Sequence, residues 1–372
     1  MNKIYFYGSF PPKNKASYGG GEEGNLRSVS ILRSAGYDVR IIRKLRSRAS
    51  TSKFVKLASY PIRMMDGILK FLFILLFGCR KSIVHISGFC GHTILNEYIL
   101  MKISKALGYF SIFELRGGGA DKFYYNGSAA YRKMFRWIVT NADYIFSQGM
   151  ENKQLLDSIC NTPFFYYPNY VEENFLPSSL PIKPTDSINL LFFGRVEKEK
   201  NVLLIVDTAA ILQKELNNIT LTIIGNGKPE YTHDVQQRMK ERLRAGSFIY
   251  IPGCKHDDLK HHLADKHFYI FPSQQEYEGH SNAVTEAMAY GVVPIVSPQG
   301  FSRTIVGNDE LVISELNATE YAKCISDKLN AGNFDEFSRN VYQRIQNNYT
   351  AEIVGKKLVQ VYKEIAKECP SM

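Results

Sequence analysis

The sequence predicts an α/β protein of two doubly wound parallel-sheet domains, and three observations carry that expectation. Short apolar runs alternate with amphipathic stretches along most of the chain, the pattern of strand–helix units that build a parallel sheet covered by helices. The alternation comes as two series, separated by a stretch rich in proline and serine. A chain of 372 residues exceeds one average core and suits two domains of ordinary size.

In the first series the strand candidates are residues 5–7, 39–42, 83–86, 112–115, 144–146 and 164–167, with helical stretches at 25–34 and 129–139. The second series has strands at 190–193, 221–224, 249–251, 269–271 and 293–296, and helices at 203–216, 258–264 and 282–290. The break is expected at Tyr167-Pro168-Asn169 or in the Pro/Ser-rich residues 176–187. In the tail, residues 351–367, Val354, Leu358, Val361 and Ile365 share one helical stripe that needs a buried partner. Doubly wound sheets bind ligands beyond the carboxyl ends of their strands, so the loops after the strands are where chemistry is to be sought.

The composition is that of a globular protein, with 45% hydrophobic and 22% charged residues. The formal charge of +10 is uneven. Residues 1–170 hold 24 Lys/Arg against 10 Asp/Glu, and the remainder holds 22 against 26. A basic half beside a mildly acidic one suggests an anionic partner: nucleic acid, an anionic lipid surface or a pyrophosphate-bearing acceptor. Arg40, Arg43, Lys44, Arg46, Arg48, Lys53 and Lys56 lie within 17 residues free of acid, yet no nucleic-acid motif accompanies them, so no nucleic-acid partner is expected. The apolar run 67–78 is too short to span a bilayer and reads first as a buried helix of the first domain, or else as a helix that in part touches lipid. The six cysteines form no CxxC pair, and no signal peptide precedes the first strand, so a cytoplasmic protein is expected.

Four post-strand segments could carry chemistry. Gln275-Glu276-Tyr277-Glu278-Gly279-His280-Ser281-Asn282-Ala283-Val284-Thr285-Glu286 runs from a strand through a glycine-bearing loop into a helix. Ser281 or Asn282 can cap that helix, its free N–H groups can hold a phosphate, and Glu278 and Glu286 can both accept hydrogen bonds from sugar hydroxyls. Both are equally read as surface glutamates on this pattern alone. Gly194-Arg195-Val196-Glu197-Lys198-Glu199-Lys200 offers Arg195 and Lys200 as cations able to neutralise a leaving diphosphate, while Lys198 reads as a surface lysine. Tyr18-Gly19-Gly20-Gly21 follows the first strand without forming GxGxxG, so a dinucleotide fingerprint is absent. Glu114-Leu115-Arg116-Gly117 closes the set. His256, His261, His262 and His267 lack metal-ligand spacing and read as a solvated helix.

The run from Glu278 to Pro294 resembles the Glu-x7-Glu signature of retaining family-4 glycosyltransferases with the GT-B fold, with Ser281 in its Pro/Ser place. The resemblance implies two facing Rossmann-like domains: an acceptor-side domain at 1–168, a nucleotide-sugar-binding domain at 169–350, and a C-terminal helix, 351–372, crossing back to the first. It implies that Glu278 contacts the donor sugar, Glu286 the ribose hydroxyls, and the N–H groups around Ser281, Asn282 and Ala283 the diphosphate. Gly194, Arg195 and Lys200 fit the family's Gly-Arg-x4-Lys element, Gly19 and Gly20 its glycine pair near the donor phosphates, Gly225 its second-domain glycine loop, and Pro168-Asn169-Tyr170-Val171 its hinge. Where relatives carry a histidine this chain has Arg116, which cannot act as a base and reads either as a cleft contact or as an ion-pair partner of Glu114 or Asp121.

The function implied is retaining transfer of a hexose from a UDP- or GDP-linked donor, without cofactor and without metal, since no DxD motif occurs. Resemblance to bacterial surface-polysaccharide enzymes implies a lipid-linked glycan acceptor, and the basic charge of the first domain suggests a peripheral place on the anionic inner face of the cytoplasmic membrane. A GT-B epimerase or phosphorylase is the nearest alternative.

Overall fold

A computed structural model describes residues 3–12, 20–44, 55, 58–89, 91 and 93–368. Gly19 and, of the basic run, Arg46, Arg48, Lys53 and Lys56 lie outside the described residues. The chain divides into two compact units, one of residues 1–168 with 355–372 and one of 169–354.

The first unit is a six-stranded sheet: β1 (Lys3–Gly8), β2 (Asp38–Arg43), β3 (Ile83–Gly88), β4 (Phe110–Leu115), β5 (Tyr144–Ser147) and β6 (Phe164–Tyr166), in the order β2-β1-β3-β4-β5-β6. Every pairing is parallel. Between the strands run α1 (Gly20–Ser34), α2 (Tyr60–Leu76), α3 (Ile94–Ala106), α4 (Ala120–Asn126), α5 (Ala129–Asn141) and α6 (Glu151–Ile159). Helices on both faces explain why β1 and β3 read as unbroken apolar runs rather than alternating ones: Ile4, Tyr5, Phe6, Tyr7, Ile83, Val84 and Ile86 are all buried.

The apolar run at 67–78 corrects one expectation. It lies largely in α2, but only one face of that helix is covered. Ile68, Phe71 and Leu75 are buried, while Leu69, Phe73, Leu76 and Phe77 are exposed.

The last helix, α14 (Ala351–Glu368), carries the tail's apolar stripe, and Val354, Leu358, Val361 and Ile365 are all buried. Within the first unit a chain of polar groups ties it to the sheet. His85 Nδ1 lies 2.6 Å from the Tyr362 hydroxyl and Nε2 lies 2.9 Å from a Glu114 carboxylate oxygen. Burial pushes the His85 imidazole below its ordinary pKa, so Tyr362 donates to it and it donates to Glu114. Burial opposes ionisation of Glu114 too, but Arg116 and then His85 outweigh it and hold the carboxyl down at about 2.

The second unit is a five-stranded parallel sheet: β7 (Ile188–Phe193), β8 (Ile219–Ile224), β9 (Phe248–Ile251), β10 (Phe268–Phe271) and β11 (Val293–Val296), in the order β11-β10-β7-β8-β9. Its helices are α7 (Val202–Glu215), α8 (Pro229–Arg242), α9 (His256–Leu263), α10 (Asn282–Ala289), α11 (Ser302–Val306), α12 (Ala318–Asn330) and α13 (Phe334–Asn348). The strand order reverses between β7 and β10. Loops leaving those two strands diverge to opposite sides and open a crevice at their carboxyl ends, the usual ligand position in such a sheet.

Candidate active site

Both loops at that reversal are the ones whose sequences drew attention. The loop after β7 is shaped by glycine. Gly194 takes φ 141°, and a Cβ on Gly225 would stand 1.8 Å from the Gly194 carbonyl oxygen. Without side chains there, the loops after β7 and β8 run side by side, joined by Gly194 N–H to Ile224 O at 3.0 Å and Val196 N–H to Asn226 O at 2.9 Å. A 3-10 turn, Lys198–Lys200, follows. Asn201 then takes φ 54°, the one positive φ of a non-glycine among the described residues, and starts α7.

That turn leaves Lys200 buried, its ammonium 5.0 Å from the centre of the Phe271 ring at the end of β10. It pairs with the Glu278 carboxylate, which also accepts a 3.2 Å hydrogen bond from Ser273 Oγ. Residues 78 positions apart thus meet at the switch point. The meeting is framed by backbone: Gln274 N–H donates to Glu199 O at 2.8 Å, and a Cβ on Gly300 (φ 60°) would lie 2.1 Å from the Glu278 carbonyl oxygen.

Ser281 caps α10 by accepting from Val284 N–H. The first N–H groups of a helix have no partner within it, and those of Asn282 and Ala283 are of this kind. Asn169 steadies the segment, donating to His280 O at 2.8 Å and to Asn282 Oδ1 at 2.9 Å. His280 itself is buried, and burial and then Arg344 push its imidazole down to about 3. Glu286, one turn into α10, pairs at 3.0 Å with Nε2 of His256, whose ring stacks on Phe175 with centroids 4.5 Å apart. Tyr269, buried in β10, reports the field of both carboxylates: burial, then Glu278 and Glu286, raise its hydroxyl well above the ordinary range.

A cavity of about 550 Å³ adjoins the β7 loop, lined among others by Arg195, Lys198, Lys228, Tyr231 and Gln275. Arg195 is mostly exposed and pairs with Glu197 at 3.0 Å. Lys198, read from sequence as a surface lysine, is exposed and also lines this cavity.

Arg116 and Gly20 belong to the first unit. Arg116 is 2% exposed and pairs with Glu114 at 2.8 Å, the second of its two sequence readings. Among the described residues its Nε and Nη1 have no hydrogen-bond partner. Gly20 opens α1 and is exposed. One of the dismissed histidines is not a solvated helix residue, and a second, His256, is a half-exposed helix residue that nevertheless has a partner. His267 is buried before β10, with Nδ1 accepting from Asn189 N–H at 3.1 Å and Nε2 donating to Pro184 O at 3.0 Å, and His256 is the partner of Glu286. Sequence reading also passed over Gly300, although a glycine four residues past a strand is a signal of close backbone approach.

Two Rossmann-like parallel-sheet units, one with a Lys–Glu pair and a capped helix at its switch point, define the chain as an α/β protein of the GT-B glycosyltransferase fold. Residues 179–368 match the family glycosyl transferases group 1, and the chain belongs to that family. A probable sucrose-phosphate synthase of Thermosipho melanesiensis is 28% identical over 206 residues, which cover 54% of this chain and 45% of that protein. The chain therefore spans less than half the length of that curated relative. Among solved structures, sucrose-phosphate synthase from Thermosynechococcus elongatus superposes with TM-score 0.75 at 15% identity, covering 99% of this chain and 100% of that one. Anabaena HepE in complex with UDP superposes with TM-score 0.70 at 10% identity, covering 98% and 100%.

Proposed function

We propose that the β7–β10 crevice of the second unit holds a nucleoside diphosphate sugar and that transfer proceeds with retention and without a metal. The observation that carries this reading is the Lys200–Glu278 pair at the switch point, with Glu286 paired to His256 on the helix that follows. Lys200 supplies a buried positive charge where a diphosphate leaves, and Arg195 an exposed one at the rim. Glu278 is the hydroxyl acceptor for the donor sugar and Glu286 for the ribose. Backbone N–H groups of Asn282 and Ala283 add hydrogen bonds to the diphosphate. As the glycosidic bond breaks, its electron pair goes to the diphosphate oxygen, which takes the acceptor's proton while the acceptor oxygen bonds to the anomeric carbon from the same face. UDP in the HepE complex favours a uridine donor.

For the acceptor, the strongly basic first unit supports a lipid-linked glycan reached from the inner membrane surface. The sucrose-phosphate synthase relatives favour a second reading, a soluble phosphorylated sugar as acceptor. A thermal-shift panel tests donor binding first. UDP or GDP is expected to stabilise the protein and NAD to leave it unchanged. Stabilisation by NAD alone would overturn the reading.

A further inference from the structure

We propose that α2 docks the first unit onto an anionic lipid bilayer by inserting its uncovered apolar face in the plane of the surface. The helix has two apolar faces. One, with Ile68, Phe71 and Leu75, belongs to the core of the first unit. The other carries Ile62, Met65, Leu69, Phe73 and Leu76, spaced three or four residues apart as one face of a helix requires, and Phe77 just beyond the C-terminus extends it. Ile62 is 73% exposed, Leu69 56%, Phe73 63% and Phe77 79%. An apolar stripe continuous over four turns is not the scattered exposure of an ordinary surface.

What covers it is settled by charge. Between Arg40 and Lys81 the sequence holds eleven basic residues and a single acidic one, Asp66, which is itself paired with Lys70 at 2.7 Å. Arg63 and Lys70 lie on α2, and the exposed Arg80 and Lys81 lie just past its end. A second copy of the chain would bring two such basic surroundings face to face. An anionic bilayer instead offers hydrocarbon to the stripe and headgroup charge to its flanks. Among the described residues no helix is long and apolar enough to cross a membrane, so the helix lies in the interface. This deepens the peripheral placement proposed above and rests on it. It adds a hydrophobic contribution that salt does not screen, so binding is expected to fall with salt but not to vanish.

Flotation with phosphatidylglycerol-containing and pure phosphatidylcholine vesicles, at low salt and at high salt, tests this with the full chain. Wild type is expected on the anionic vesicles, with a fraction retained at high salt. The Leu69→Ser/Phe73→Ser variant changes only exposed side chains and is expected to lose about a hundredfold in partitioning and all of the salt-resistant fraction. Phe73→Trp supplies a second readout: its tryptophan emission is expected to shift to the blue on adding anionic vesicles and to be quenched by brominated lipid. Wild type binding as tightly as the double variant, with no shift in Phe73→Trp, would overturn the inference while leaving a purely electrostatic peripheral placement intact. No binding by wild type to either vesicle would overturn both. Sedimentation gives the remaining decision: dimeric wild type beside a monomeric double variant, without vesicle binding, would assign the stripe to a second copy and refute the lipid assignment.

Discussion

Removing Lys200 tests whether the switch-point ion pair is a real energetic unit of the second domain. Its side chain is 8% exposed and that of Glu278 15%, so Lys200→Ala leaves a carboxylate in a poorly hydrated place. Breaking a fully buried pair from one side costs about 3–5 kcal/mol. Glu278 retains some access to water and the Ser273 hydroxyl, which brings the expected loss to about 2–3 kcal/mol. For a domain of this size that corresponds to roughly 5–10 °C in Tm. The double variant Lys200→Met/Glu278→Gln leaves no uncompensated charge and is expected to be more stable than Lys200→Ala, with a coupling of about 1.5 kcal/mol or more in a double-mutant cycle. Urea unfolding of the wild type, Lys200→Met, Glu278→Gln and the double variant gives the four free energies of the cycle, with Lys200→Ala measured beside them. A Lys200→Ala protein within about 0.5 kcal/mol of wild type, the scatter of ordinary surface changes, would refute the argument.

Three further outcomes follow from the same geometry. Glu286→Ala is expected to weaken UDP or GDP binding by about 1.5–3 kcal/mol in a calorimetric titration, while unchanged affinity would remove Glu286 from the ribose subsite. Arg195→Ala is expected to lower turnover about 10²–10³-fold with wild-type activity surviving excess EDTA, and activity lost to EDTA and restored by Mg²⁺ or Mn²⁺ would mean that a metal does this work. Glu114, held down at about 2 against an ordinary 4.5, contributes stability that is fully present above pH 4.5 and lost as pH falls through about 2. That span is worth about 3 kcal/mol, so Glu114→Gln is expected to flatten the acid limb of the stability curve between those pH values, and an unchanged limb would contradict the assignment.

Local periodicity made most of the architecture legible. The strand read at 269–271 is Phe268–Phe271, and the helix read at 282–290 is Asn282–Ala289, capped by Ser281 as its side-chain chemistry suggested. Such features depend on neighbours a few residues away. The pairs that define the site do not. Lys200 and Glu278 meet only because β7 and β10 are neighbours, and the order of strands in a sheet is not written in any single loop. His256 was hidden for the same reason, since its partner Glu286 is 30 residues away. The helix α2 shows a different limit. Apolar periodicity tells that a face avoids water, and it cannot tell which of two apolar faces the core will cover. Gly300 shows a third, because the close approach it permits involves the carbonyl of Glu278, on another loop.

On the proposed reading, Glu278 and its neighbours hold and activate a nucleotide sugar. Incubating the protein without acceptor with a panel of radiolabelled UDP- and GDP-sugars, and scoring released sugar, tests it most directly. The expected result is slow hydrolysis of one donor by the wild type and its loss in Glu278→Ala, with nucleotide binding largely retained in that variant. A wild type that releases sugar from none of the panel, or a Glu278→Ala protein that releases it as fast as wild type, would contradict the claim.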